Sequence, residues 1–208
     1  MRGLLLFSVV ALGVLALDVV TTPHGQSVAI VGDSITFVSI GDLRSVMGDD
    51  YDPSISAELG ATVEDMAAAA RKAAAGQPEQ VIIELGSNNA LHGGSIDEAR
   101  ASLQTMIARF GSARCIHLVN LNTLMTDVGR PVPSEARAIN DQLELIAAAD
   151  DRITIIDWNQ IVADSVDAAH AAGAITDDTV HPNPVGRLAL ADAERHALDR
   201  CGRPWHIW

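Results

Sequence analysis

Short runs of consecutive apolar residues alternate along this chain with Ala-rich stretches of helical period. Ser27–Val31, Val81–Leu85, Cys115–Asn120 and Ile153–Asp157 are such runs, and Asp52–Ala57 is a weaker one. Val81-Ile82-Ile83 and Ile153-Thr154-Ile155-Ile156 are apolar or β-branched at every position, without polar alternation, so both faces of these strands should be covered, as in a parallel sheet. Between the strands the sequence predicts four helices. One spans Val63–Ala75 and is stopped by Gly76 and Pro78; another spans Ile96–Phe110, with Ile96, Leu103, Ile107 and Phe110 near one face. A third covers Ser134–Ala149, with Ser134 and Glu135 as its cap region, and the last covers Val185–Arg200. Weaker helical signals cover Ile40–Met47 and Gln160–Ala171. Strands alternating with helices in this way predict a three-layer α/β/α sandwich around a central parallel sheet of about five strands.

The first 22 residues break that rhythm. Arg2 is followed by Leu4–Leu17, fourteen residues without a charge, before Asp18. This has the form of a signal peptide or a retained N-terminal membrane anchor, with a short basic region and an apolar segment short for a membrane span. The expectation is an exported protein, extracellular or in the cell envelope: a leader over 1–22 and one catalytic domain over 23–208. Only 3% of residues are aromatic against 48% hydrophobic, so Ala, Val, Leu and Ile must build the core. The net charge of −13, with no basic stripe, argues against a nucleic-acid partner. Cys115 and Cys201, the two cysteines, fall at the start of a strand and just after the last helix, where one sheet edge could hold both. Export would permit a disulfide between them, and a Cα separation beyond about 7 Å would exclude it.

Chemistry-bearing residues collect where strands end. In open parallel sheets, sites form at the carboxyl ends of strands. Gly32-Asp33-Ser34 follows the first strand, Gly60 the second and Gly86-Ser87-Asn88-Asn89 the third, while Asp178 and His181 lie between the fifth strand and the last helix. A serine hydroxyl needs a base to become a nucleophile. His181 can supply it through one ring nitrogen if Asp178, three residues earlier, holds the other. Acyl transfer also needs donors aimed at a developing oxyanion; the candidates are the backbone N–H of Ser34, the backbone N–H of Gly60 and the side-chain amide of Asn88.

These blocks, in this order, resemble the SGNH (GDSL-type) hydrolases. Gly32-Asp33-Ser34-Ile35-Thr36 is similar to the family's nucleophile block, and Gly60 to its glycine block. Gly86-Ser87-Asn88-Asn89 is similar to G-x-N-D, and Asp178-Thr179-Val180-His181 to D-x-x-H. The resemblance implies a flavodoxin-like sheet, a Ser34-His181-Asp178 triad, an oxyanion hole from Ser34, Gly60 and Asn88, and a serine esterase or acyl transferase without metal or cofactor. Two positions depart from the pattern: Asn89 stands where the family usually has Asp, and Glu58-Leu59 precede Gly60 in place of small polar residues.

The expected substrate is a small-molecule or glycan-linked acyl ester, such as an O-acetyl group on an envelope glycan, with water or a sugar hydroxyl as acceptor. Two other readings stand beside it: a non-catalytic envelope ligand-binding domain of the same type, and a lipase or thioesterase for longer acyl chains. Asp177 could partly substitute for Asp178. Asn120 and Asn122, at the end of the fourth strand, could equally contact substrate or cap a turn. His92 reads as solvated, and the tail carrying Trp205, His206 and Trp208 as packed on the domain or frayed.

Overall fold

The computed structural model describes residues 25–172 and 175–201; the segment expected to be a leader and the Trp205–Trp208 tail fall outside them. Five parallel strands form the central sheet: β1 (Gln26–Gly32), β2 (Tyr51–Ala57), β3 (Gln80–Glu84), β4 (Cys115–Val119) and β7 (Ile153–Ile156), in the spatial order β2-β1-β3-β4-β7. Every residue of β3 is buried, including Gln80 and Glu84 on either side of the apolar Val81-Ile82-Ile83. A two-stranded antiparallel hairpin, β5 (Thr126–Asp127) and β6 (Arg130–Pro131), interrupts the segment after β4. Its two-residue strands carry no sequence periodicity that could have announced them.

The helices are α1 (Ser34–Met47), α2 (Ala67–Ala75), α3 (Ser87–His92), α4 (Ile96–Arg109), α5 (Pro133–Ala148), α6 (Trp158–Ala172) and α7 (Pro184–Arg200). Five starts differ from the sequence expectation; α6 and α7 begin two and one residues early, and the other three have visible causes. α1 begins at Ser34 and not near Ile40, because the Asp33 side chain caps it and Ile35, Thr36, Ser39, Leu43 and Met47 are buried, which overrides the weak helix propensity of Thr36, Phe37 and Val38. α2 begins at Ala67 and not Val63, because the Asp65 carboxylate takes both the Thr62 N–H (2.9 Å) and the Thr62 hydroxyl (2.7 Å) in a local turn. α5 starts with Pro133 at its first position, and the Ser134 hydroxyl donates to the Glu135 carboxylate (2.6 Å), so Ser134 is not the cap.

Side-chain parity sorts the layers. Gln80, Glu84, Cys115, His117 and Thr154 project from one face, where α1, α7 and α6 pack; α2, α4 and α5 cover the other. On the first face His117, fully buried in β4, is bonded to Thr154 Oγ1 (2.7 Å) and Gln80 Oε1 (3.2 Å); burial pushes its pKa down to about 4, so it is a neutral structural imidazole. On the same face Cys115 is joined to Cys201 by a disulfide, their Cα atoms 5.9 Å apart, tying the far end of α7 to the sheet. Among the described residues no helix is long and apolar enough to cross a membrane.

Candidate active site

The turn from β1 into α1 puts Ser34 at the first position of a helix, and three interactions fix it there. Asp33 Oδ1 accepts the Ile35 N–H (2.9 Å). Thr36 sends both its backbone N–H (3.1 Å) and its hydroxyl (3.0 Å) to Glu84 Oε2 at the end of β3. Gly32 makes this closure feasible: a Cβ there would sit 1.9 Å from Thr36 Oγ1, so only a residue without a side chain lets Thr36 reach Glu84.

Across the cleft, the loop before α7 carries Asp178 and His181. Asp178 Oδ1 accepts the backbone N–H groups of Val180 (3.0 Å) and His181 (2.6 Å), while Oδ2 lies 2.6 Å from His181 Nδ1. His181 Nε2 lies 3.0 Å from Ser34 Oγ. The three side chains therefore form one hydrogen-bonded series, although Ser34 and His181 are 147 positions apart. Partial burial works to raise the Asp178 pKa, but the bonds from the His181 ring and from the two backbone amides outweigh it and hold the carboxyl below its ordinary value. Asp178 is thus ionised at neutral pH, and by accepting a hydrogen bond from His181 Nδ1 it turns Nε2 towards Ser34. Asp177 faces elsewhere: its carboxylate accepts from Asn183 Nδ2 at 3.3 Å.

Asn88, on α3, ties the remaining blocks together. Its Nδ2 donates to Asp33 Oδ2 (3.2 Å) and to the carbonyl of Ala61 (2.9 Å), so it links the residue before Ser34 to the residue after Gly60. Both amide hydrogens of Asn88 are engaged inside the protein, the one on Asp33 at the longer distance. Gly60 adopts φ +73° in an exposed turn. Asn89 braces the same turn from below: its Oδ1 accepts the Val63 N–H (3.0 Å) and its Nδ2 donates to Glu64 Oε2 (2.9 Å).

Glu84 went unremarked in the sequence, where it reads as the polar end of an apolar strand. Its carboxyl is fully buried beside that of Asp33. Burial, then the charge of Asp33, pushes Glu84 well above the ordinary carboxyl range; burial raises Asp33 to about 6. We read Glu84 as the protonated member: each carboxyl receives two donors, but Glu84 also faces the charge of Glu194, whereas His181 favours the Asp33 anion. One negative charge is thereby held beneath Ser34 and Asn88. His92 is exposed at the end of α3. Asn120 joins Asp157 and Asn159, and Asn122 bonds the carbonyl of Thr179, so neither caps its own turn alone. A shallow groove between α2 and α4, lined by Glu64, Ser102, Thr105 and Arg109, contains none of the predicted site residues.

A five-stranded parallel sheet between helical layers, with a helix-start serine facing a histidine, defines a hydrolase-type α/β architecture. The model of the GDSL-like lipase/acylhydrolase family matches residues 30–188, and the chain belongs to that family. Solved structures agree on the fold. An alpha/beta hydrolase enzyme from the metagenome of Lake Arreo, Spain, superposes with a TM-score of 0.71 at 17% identity, covering 85% of this chain and 96% of that one. An acetyl xylan esterase gives 0.70 at 19% identity, covering 83% and 99%. The C-terminal catalytic domain of a peptidoglycan O-acetyltransferase from Streptococcus pneumoniae gives 0.66 at 18%, covering 86% and 95%. Comparison with curated protein sequences gives no match.

Proposed function

We propose that this protein is an exported serine esterase that cleaves short O-acyl esters, with an acetyl group on a carbohydrate as the substrate class. The observation that carries the reading is the unbroken series Asp178 Oδ2, His181 Nδ1, His181 Nε2, Ser34 Oγ, at 2.6 and 3.0 Å. In this reading Ser34 Oγ attacks the ester carbonyl while His181 Nε2 takes its proton, and Asp178 stabilises the imidazolium. His181 then protonates the departing alcohol, leaving an acyl-Ser34. Water activated by the same imidazole, or a sugar hydroxyl in its place, releases the acyl group. The oxyanion is held by the N–H groups of Ser34 and Gly60 and by Asn88, which shares the hydrogen it now gives to Asp33. Such a donor contributes about 3 kcal/mol in the transition state.

The acetyl and carbohydrate part draws on two of the neighbours, named for acetyl xylan and for peptidoglycan O-acetyl transfer. Export draws on the apolar leader and on the Cys115–Cys201 disulfide, since such bonds persist in oxidising compartments. A fluorophosphonate probe and p-nitrophenyl esters of two and eight or more carbons (roughly the acetyl and lipase regimes) test the whole. The wild type should gain the probe's mass on Ser34 and turn over acetate fastest. Ser34→Ala should take no label and lose at least about 10⁴-fold in kcat. Equal labelling of both proteins would sink the proposal.

A further inference from the structure

The loop that carries Asp178 and His181 holds a conformation it would not choose alone. Thr179, between them, has φ +68°, a left-handed backbone that is strained for a β-branched residue. That conformation is what lets the Asp178 carboxylate accept the N–H groups two and three residues ahead and face the His181 ring at once. Thr179 is pinned from outside by the segment after β4. Asn122 Nδ2 donates to the Thr179 carbonyl (2.9 Å), the Thr126 N–H donates to Thr179 Oγ1 (3.0 Å), and the hydroxyls of Thr126 and Thr179 are bonded to each other (2.9 Å).

The segment doing the pinning is itself rooted. The Leu121 N–H donates to Asn140 Oδ1 (2.7 Å) and Asn140 Nδ2 returns to the Leu121 carbonyl (2.8 Å), fastening it to α5. The Thr123 N–H and hydroxyl both go to Asn159 Oδ1 (2.8 and 2.9 Å), fastening it to the start of α6, and the Asn159 N–H goes back to Asn120 Oδ1 (2.8 Å). Asn122 Oδ1 accepts the Leu124 N–H (2.8 Å), and the Val132 N–H closes the hairpin base on the Met125 carbonyl (3.2 Å).

Resting on the esterase reading, we propose that the 120–132 segment is a strap, with Asn122, Thr126 and Thr179 as positioning residues that hold the Asp178–His181 loop in register with Ser34. None of the three takes part in bond making. Their contribution is geometric: without the strap the backbone at Thr179 relaxes towards a negative φ, and the imidazole moves off the serine oxygen. Displacement of a reacting group by about 1 Å costs on the order of 100-fold in rate.

Thr179→Val keeps the size and branching of the side chain and removes its oxygen. We expect kcat on p-nitrophenyl acetate to fall by about 10–100-fold with KM unchanged, and the far-downfield proton resonance of His181 Nδ1 to weaken or vanish. Thr179→Ser should restore both. Thr179→Gly relieves the backbone yet frees it, so it should keep its melting temperature and still lose kcat. Asn122→Asp, which retains the acceptor for Leu124 but lacks the donor, should behave like Thr179→Val. Should Thr179→Val fail to fold, Thr126→Val removes the hydroxyl pair from the hairpin side but keeps the Thr126 N–H bond to Thr179 Oγ1. Its kcat should then fall less but in the same direction, and an unchanged kcat and resonance there refute the strap. The strap is refuted if Thr179→Val keeps wild-type kcat and resonance, if Thr179→Ser is as impaired as Thr179→Val, or if kcat falls only in step with unfolding. Because the resonance needs no turnover, it separates the two claims: a wild type that shows it but takes no fluorophosphonate label overturns the esterase reading and leaves the strap standing.

Discussion

Asn89 shows how one amide can couple two blocks of a site. Its oxygen serves the Val63 N–H and its nitrogen serves Glu64, so a carboxylate at this position would keep the first bond and set two negative groups against each other in place of the second. Here the partner explains the residue: with Glu64 at the neighbouring position, an amide satisfies both contacts. Asn89→Asp should lower stability to urea by about 1 kcal/mol. Glu64→Gln in the same chain should recover most of it, because a neutral side chain at 64 can donate to the new carboxylate. A double-mutant cycle measures the coupling, and additive effects would show that the two side chains do not interact. The same contact accounts for part of what the sequence concealed. Val63 looks like the start of a helix, but its N–H is committed to a side chain 26 positions away, and the helix waits until Ala67.

At the scale of elements, α7 follows directly on the loop that carries His181 and is held at both ends. Asn183 caps its first turn by accepting from Val185 (3.1 Å) and Gly186 (3.0 Å), directly behind His181. Arg187 reaches Asp42 on α1 (2.8 Å), so the helices bearing Ser34 and following His181 are joined side to side. The far end is closed by Cys115–Cys201, which spans 86 positions of sequence. Cross-linking so long a loop restricts the unfolded chain and contributes about 2–4 kcal/mol. Replacing both cysteines by alanine should lower the melting temperature accordingly, and dithiothreitol should bring the wild type down to the variant without moving the variant itself. Thermal denaturation with and without reductant checks this; a wild type indifferent to reductant would contradict it. The strands were readable because consecutive apolar residues leave a local signature. The β5–β6 hairpin was not, because its position is set by asparagines and threonines whose partners lie on other elements.

For the whole molecule, the layer between the sheet and α7 contains a charge problem that burial resolves by protonation. Glu194 is fully buried on α7, and neither carboxyl oxygen has a hydrogen-bond partner among the described residues; burial pushes its pKa up to about 8 from 4.5. Its charge would also raise Glu84 further, so the two acids disfavour each other's ionisation through the core. A folded-state value above the unfolded one means that the folded protein binds the extra proton. The stability this group contributes is therefore complete below about pH 4.5 and is lost as pH rises through about 8. Glu194→Met, which removes the titration and fills similar space, should lose less stability than the wild type between pH 5 and pH 8, by a few kcal/mol (about 1.4 per pK unit). Chemical denaturation at the two pH values measures the difference, and parallel losses in both proteins would show that Glu194 is solvated or paired.

The linear chain determined the strand–helix alternation, the parallel sheet and the order of the blocks at its carboxyl edge, because apolar periodicity, glycine turns and proline stops act over a few residues. It also determined which atoms could do the chemistry, since only certain side chains can act as nucleophile, base or orienter. Tertiary structure alone decided that Ser34 and His181 stand 3.0 Å apart, that Glu84 keeps a proton beside Asp33, and that Thr179 holds a left-handed backbone. Each of these depends on contacts between groups far apart in sequence and on the loss of water around them. Propensity does not encode such contacts, and only packing supplies them.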